Sequence, residues 1–360
     1  MKDSKSTLVL VVVMFVVSLL ALVSNNSFAF TSPYVTSSTV AFKSKTFVDT
    51  LLNAVGGIDN IISHGTPDFT THDGTGIMYA APDDYGTSYY FRSGGSAFNW
   101  VLFAGYYWRI IRINGDGSVR LMYSGSTAPT SSQGVSMTGT GTQIGTLAFN
   151  STYSRAEYAG YMYTLNNAHG YGTGSTIKIN SSYGLDKWYQ NHLASYASYL
   201  TDTLFCADRG SYHDAAGTTT GGGTGTSTAY FNAYIRLVTN KEPSLLCPNK
   251  NDRFTVNDTT MGNGALTYPI GLITADEVAM AGGKYQHYYY NYYLYTNQDY
   301  WTMTPGYVYN GKAQVFFVRT NGSLLAYDAG DTLGVRPVIN VRGNVSVTGS
   351  GWYDDPYVIS

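Results

Sequence analysis

The sequence predicts an α+β protein: a sheet domain built from hairpins and carrying two main helices, behind an N-terminal apolar helix. Three observations predict it. Strand-like patterns dominate from about Gly76 onward and include two Asn-Gly hairpins. A single helical stripe and a capped helix start interrupt them. Residues 7–23 are apolar and carry no charge.

That N-terminal stretch follows two lysines and ends at Ser27-Phe28-Ala29, a small-x-small pattern. Basic start, apolar centre and small-residue ending make an export signal. An h-region runs about 7–15 residues and a spanning helix about 20, so residues 7–23 fall between them. Cleavage after Ala29 and retention as a transmembrane anchor therefore both stay open. Either outcome places the rest of the chain outside the cytoplasm, secreted or at the cell surface. The divisions read as 1–29 leader or anchor, 30–75 extension with a short helix, and 76–360 main domain.

In the extension, Phe47, Leu51, Leu52 and Val55 fall at helical spacing, Ser44 can cap them, and Gly56-Gly57 stops them. The first hairpin runs from Trp108 to Ile113, turns through Asn114-Gly115-Asp116-Gly117 and returns from Ser118 to Tyr123. The second runs from Val315, turns at Asn321-Gly322 and returns through Leu324 and Tyr327. Asn-Gly supplies the positive φ angles that a tight hairpin turn needs, so turns are expected at both. Leu185, Trp188, Tyr189, Leu193, Tyr196 and Leu200 make one helical stripe, with Ser181 or Ser182 as cap. Thr274-Ala275-Asp276-Glu277 fits a capping box and opens a second helix. Residues 217–228 are Gly/Thr-rich and too poor in apolar surface to order themselves, so a flexible insertion is expected at about 210–230.

Only 12% of residues are charged, about half the usual share. The net charge is −2 with no basic run, which excludes nucleic acid as a partner. Cys206 and Cys247 are the two cysteines, and in an exported chain an isolated pair is most simply a disulfide. Such a bridge would stabilise by ~4 kcal/mol in the chain-entropy model. Two buried thiols are the alternative. No CxxC, HExxH or GxSxG motif is present, and the six histidines are scattered. Residues 306–312 have phosphate-loop spacing, but Ala313 stands where a metal-binding hydroxyl is needed. Residues 249–258 gather acidic and amide side chains that could hold calcium or bond their own turns. Calcium is thus the one cofactor left open.

The 34 tyrosines are the compositional outlier. They are densest from 285 to 309, interleaved with Asn291, Asn297 and Gln298. Aromatic faces stack on sugar rings and amides bond hydroxyls, which suits a glycan or protein ligand. Half-buried strand positions explain tyrosines equally well. The candidate ligand-binding residues are Tyr285, Tyr288, Tyr290, Asn291, Tyr292 and Asn297.

Further landmarks stand in order: Trp108-Arg109, Ser181-Ser182 with Trp188, Leu272 to Glu277, Tyr300-Trp301 to Pro305, and Gly334-Val335-Arg336-Pro337. Together they resemble a family of uncharacterised bacterial extracellular domains. Their fold is similar to the formylglycine-generating (sulfatase-modifying factor) and C-type-lectin-like architecture. The resemblance covers roughly residues 76–345 and implies a C-type-lectin-like, mixed and mostly antiparallel sheet domain. Oxidase members of that wider fold use a cysteine pair near the C-terminus, whereas Cys206 and Cys247 flank a central insertion. Glu242-Pro243-Ser244 comes near the lectin calcium signature but lacks its amide. Trp108, Arg109, Trp188, Trp301 and Arg336 read as structural, Arg336 anchoring a buried carboxylate or backbone carbonyls. The sequence reading is a non-enzymatic surface or secreted protein that binds a glycan or a surface protein, with no catalytic residues assigned. If the leader is retained, the membrane is a further partner. The alternatives are a structural envelope component and an enzyme of unknown reaction on the same fold.

Overall fold

The computed structural model describes residues 28–32, 35–40, 45–72, 75–93, 98–130, 138–160, 174–210, 212 and 229–360. The expected insertion at 217–228, the Ser44 cap and the apolar stretch 7–23 lie outside the described residues. The chain divides into two units, Met1–Thr46 and Phe47–Ser360. In the first, β1 (Phe28–Ser32) and β2 (Val35–Val40) pair antiparallel. Among the described residues no helix is long and apolar enough to cross a membrane; the anchor expectation falls on residues 7–23, outside them.

The second unit starts at Phe47 rather than 76. Helix α1 (Phe47–Ala54) buries Phe47 and Leu51 in the main core, and the Phe47 ring meets Tyr357 near the chain end at 5.6 Å. A short α2 (Ile58–Ser63) follows, then β3 (Thr75–Asp83) and β4 (Gly86–Ser93). One sheet is ordered β16-β7-β6-β5-β18-β17, with β4 on β6 and β3 on β4. Its strands are β5 (Trp100–Phe103), β6 (Tyr106–Ile113), β7 (Val119–Gly125), β16 (Val338–Val341), β17 (Val347–Thr348) and β18 (Tyr357–Ile359). The other is ordered β14-β13-β12-β15-β8, with β10 (Ala229–Tyr230) on β12. It comprises β8 (Gly145–Ala148), β12 (Tyr300–Tyr309), β13 (Lys312–Val318), β14 (Leu324–Asp328) and β15 (Thr332–Val335). A separate antiparallel pair joins β9 (Phe205–Cys206) to β11 (Arg253–Phe254). Only β5–β18 and β12–β15 run parallel among the described strand pairs. The fold is mixed, mostly antiparallel α+β, with one main hydrophobic core.

Both predicted hairpins form. Residues 114–118 and 319–323 share one five-residue loop. Asn114 N–H donates to Ser118 O and Arg319 N–H to Ser323 O, both at 2.8 Å. The third residue, Asp116 or Asn321, accepts from the backbone and hydroxyl of the following serine, Ser118 or Ser323. Gly117 and Gly322 carry the positive φ. Asn114-Gly115 therefore serves a different purpose. A Cβ at Gly115 would lie 2.3 Å from Asp83 Oδ1, so glycine is needed there for close approach. The two-residue turn with both φ positive is Asn310-Gly311, inside the would-be phosphate loop, where it joins β12 to β13.

The long helical stripe is broken. Helix α3 (Leu185–His192) stops at Leu193, and a 3₁₀ turn (Ala194–Tyr199) continues the apolar face to Leu200. Gly184 is its N-cap, not a serine; Asn180 Oδ1 takes the Ser182 and Tyr183 amides instead. Helix α4 (Ala275–Ala281) has the predicted capping box, with Thr274 Oγ1 and Glu277 each bonding the other's amide. Cys206 and Cys247 are disulfide-bonded.

The residues read as structural lie in this frame. Trp108 and Trp301 are buried and donate to Phe103 O and Leu147 O. Trp188 is half-buried against Tyr106, Trp108 and Tyr123. Arg336 anchors backbone rather than a carboxylate, through Tyr123 O at 3.1 Å and Leu294 O at 3.0 Å, with its guanidinium over Tyr300. Arg109 lies between Trp100 and Tyr293, and burial pushes it down to about 9.

Candidate functional site

Helix α4 organises the charged interior. Its first turn carries Asp276 and Glu277, favourable at the positive end of a helix. Glu277 Oε1 lies 2.7 Å from Arg120 Nε and 3.0 Å from Arg112 Nε, and Asp83 holds the other side of Arg112 at 2.8 Å. Burial alone would raise the Glu277 carboxyl; Arg120, Arg112 and the Thr274 amide outweigh it and hold the group below its usual range. Arg236 grips Asp276 with two nitrogens, at 2.7 and 2.8 Å, and reaches Asp208 at 2.7 Å. A small cleft beside these groups and the disulfide holds only about 20 Å³.

The other end of α4 opens onto a larger pocket of about 240 Å³. Three segments wall it. Arg236 sits in a π-helical turn (Ile235–Asn240) that supplies Leu237 and Val238, and such turns are frequent at functional sites. Residues 68–72 bring Phe69. Arg92, fully buried, clamps that loop to the end of α4 by donating to Ala279 O, Met280 O and Thr71 O. After Gly282 caps α4, residues 283–287 run beside β14, with Gln286 N–H donating to Leu324 O and Leu324 N–H to Lys284 O.

The rim carries two ammonium groups, those of Lys241 and Lys284, and the imidazole of His287; His72 stands behind, 6.4 Å from the His287 ring. Burial, then Lys241, presses the Lys284 ammonium below its ordinary value. Burial also lowers His72, against its bond to Gly282 O. Lys241 and Gln286 are both left-handed, φ 59° and 58°, at a cost of about 1–3 kcal/mol each. Strain of that kind collects at ligand-binding positions.

From the pocket, tyrosines continue across the sheet. Tyr285 meets Tyr234 at 5.8 Å between ring centroids, Tyr234 meets Tyr307 at 5.1 Å, and Tyr307 meets Tyr309 at 6.5 Å. Tyr230 packs on Tyr234 and Tyr307. All are half-buried except Tyr309, which is exposed. Of the predicted ligand residues, Tyr285 lines the pocket. Tyr288 and Tyr290 are exposed, at 66% and 54%, and Asn291 and Asn297 are also at the surface. Tyr292 is a correction: it is wholly buried, and its hydroxyl donates to Gly322 O. Lys241, Tyr230 and Tyr234 escaped sequence reading, because no spacing links them to the 285–309 run; Lys284 adjoins that run, but only the fold sets it at a pocket.

In the 249–258 cluster, Asp252 is paired with Arg209 at 2.9 Å, and Asp258 accepts from Thr260 and Met261. Among the described residues no group of three His, Cys, Asp or Glu side chains could hold a metal ion. Compared with known protein families, curated proteins and solved structures, the chain matches none of them.

Proposed function

We propose that this chain is an exported, non-enzymatic binding protein that takes a glycan along the Tyr309–Tyr307–Tyr234–Tyr285 strip into the pocket beside Lys284. The observation that carries it is a run of tyrosines in edge-to-face ring contact, half-buried except for the exposed Tyr309, ending in a pocket with polar rim groups. Such rings offer flat faces to sugars at little cost in side-chain entropy. A non-catalytic role is supported by the nearby acids Asp208, Asp276 and Glu277, which are held in ion pairs with arginines. Export is supported by the signal-like N-terminus and by the disulfide, which belongs to oxidising compartments. The finer assignment to a C-type-lectin-like frame rests on the landmark strands and helices. Trp108, Trp301 and Arg336, together with α4, share one compact unit.

A glycan panel measured by calorimetry on the full chain, beside Tyr309→Ala and Tyr307→Ala, tests the reading. Saturable binding that weakens about tenfold in the variants is expected, the size of losing one stacked ring. Silence across the panel, or variants that bind as tightly as the parent, would sink it.

A further inference from the structure

Resting on the glycan reading, we infer that the pocket selects an acidic sugar, one whose carboxylate sits between Lys241, Lys284 and His287 while its ring rests on the apolar floor. The pocket combines two features that neutral-sugar recognition does not need. Its floor is apolar, from Phe69, Leu237, Val238 and Leu324, and its rim gathers cations from separate segments. The chain as a whole is slightly acidic and has few charges, so this concentration is local.

Among the described residues the rim cations lack a matching set of carboxylates. Asp68 faces Lys284, but its Oδ1 accepts the Thr70 amide at 2.7 Å within its own turn. Asp276 lies beyond the wall, held by Arg236 and by the Ser244 amide. Glu242 follows Lys241 in the chain but is not among the lining residues. Lys284 donates one hydrogen to Thr70 O, which fixes the ammonium at the rim and leaves two N–H groups for a ligand. Lys241 is exposed and held left-handed, its amide bonded to Arg236 O. At about 240 Å³ the cavity is smaller than a drug-sized site of roughly 300–1,000 Å³, which suits one sugar unit of a longer chain. The tyrosine strip then carries the neighbouring units.

Tetragalacturonate and its methyl ester provide the test, because the ester keeps the rings and removes the charge. Calorimetry on the full chain is expected to show saturable acid binding and about tenfold or weaker binding of the ester, as for loss of a charged hydrogen bond. Lys284→Gln and the exposed Lys241→Gln should each weaken the acid by a similar factor and the ester by much less. Higher salt should also weaken the acid. Equal binding of acid and ester, or variants without effect, overturns the acidic ligand and leaves the glycan reading standing. Silence toward both, and toward neutral oligosaccharides, overturns both. Equal competition by poly-glutamate also overturns the acidic sugar, because the pocket would then read charge without the ring.

Discussion

The two ends of helix α4 treat charge in opposite ways. At its start, Asp276 and Glu277 are buried and matched by Arg236, Arg112 and Arg120 at hydrogen-bond distances. Just past its end, Lys284 stands at a pocket rim with Lys241 and His287, and burial and Lys241 both lower its ammonium. One short helix thus joins a neutralised interior to an under-neutralised opening. A paired buried charge is costly to break and inert toward ligands, whereas an unpaired rim charge is available to one. In a chain with so few charges, their pairing marks which ones hold the fold.

Breaking the buried side gives the largest expected effect. Glu277→Gln strips Arg120 of its carboxylate in the interior and should cost about 3–5 kcal/mol by denaturant unfolding. The pH profile sharpens the test. Glu277 titrates lower in the folded state, so its stabilisation is present above the unfolded value near 4.5. It is lost as pH falls through the folded value. Relative to the variant, the parent should therefore lose its advantage in acid. A difference that stays constant as the pH falls from neutral into acid would show that folding leaves the proton affinity of Glu277 unchanged, and so that the arginines do not lower it.

Next in size is the disulfide beside the same ion pairs. A Cys206→Ser/Cys247→Ser double variant should lose about 2–4 kcal/mol. Tyrosine-strip contacts do not pass through this bridge, so glycan affinity of the folded variant should be retained. A large drop in affinity with little loss of stability would reverse the division between frame and site.

On the pocket side, Gly322→Ala tests how the rim is placed. Gly322 has φ 80°, and a Cβ there would lie 1.9 Å from Tyr289 O. A loss of about 1–3 kcal/mol is expected, from left-handed strain and from displacement of 286–290. Binding should weaken with it. Unchanged stability and affinity would mean that the 319–323 loop does not position the rim.

How much of this was legible in sequence follows the range of each interaction. The Thr274–Glu277 box is local, three residues apart, and the structure has it as read. The helix at Phe47 was also legible, though not its place in the main core. The role of Gly115 was misread: the positive φ of that turn falls on Gly117, and Gly115 answers to Asp83 in another strand. In the tyrosine run, composition could not separate the exposed Tyr288 and Tyr290 from the buried Tyr292. Their exposure depends on how the segment after Gly282 folds against residues 319–323. The pocket was hidden for the same reason: Lys241 and Lys284 become neighbours only through the π-helical turn and the end of α4.

The smallest expected effect separates two buried acids that look alike. Asp208, like Glu277, is buried and faces an arginine. Burial raises its carboxyl, however, and Arg236 does not fully offset it, with Asp276 and Asp252 adding repulsion. Its Oδ1 has no hydrogen-bond partner among the described residues. At φ 40° the residue is left-handed, a conformation asparagine also tolerates. Asp208→Asn should therefore change stability at neutral pH by less than about 1 kcal/mol, since Arg236 keeps Asp276. The sign with pH is opposite to that of Glu277. A carboxyl raised in the folded state contributes stability below its unfolded value near 3.8 and loses it as pH rises through the folded value. Against its variant, the parent should fare worse toward neutral pH at position 208 and better at position 277. If both differences move the same way, burial outweighs the arginine partner at both sites or at neither.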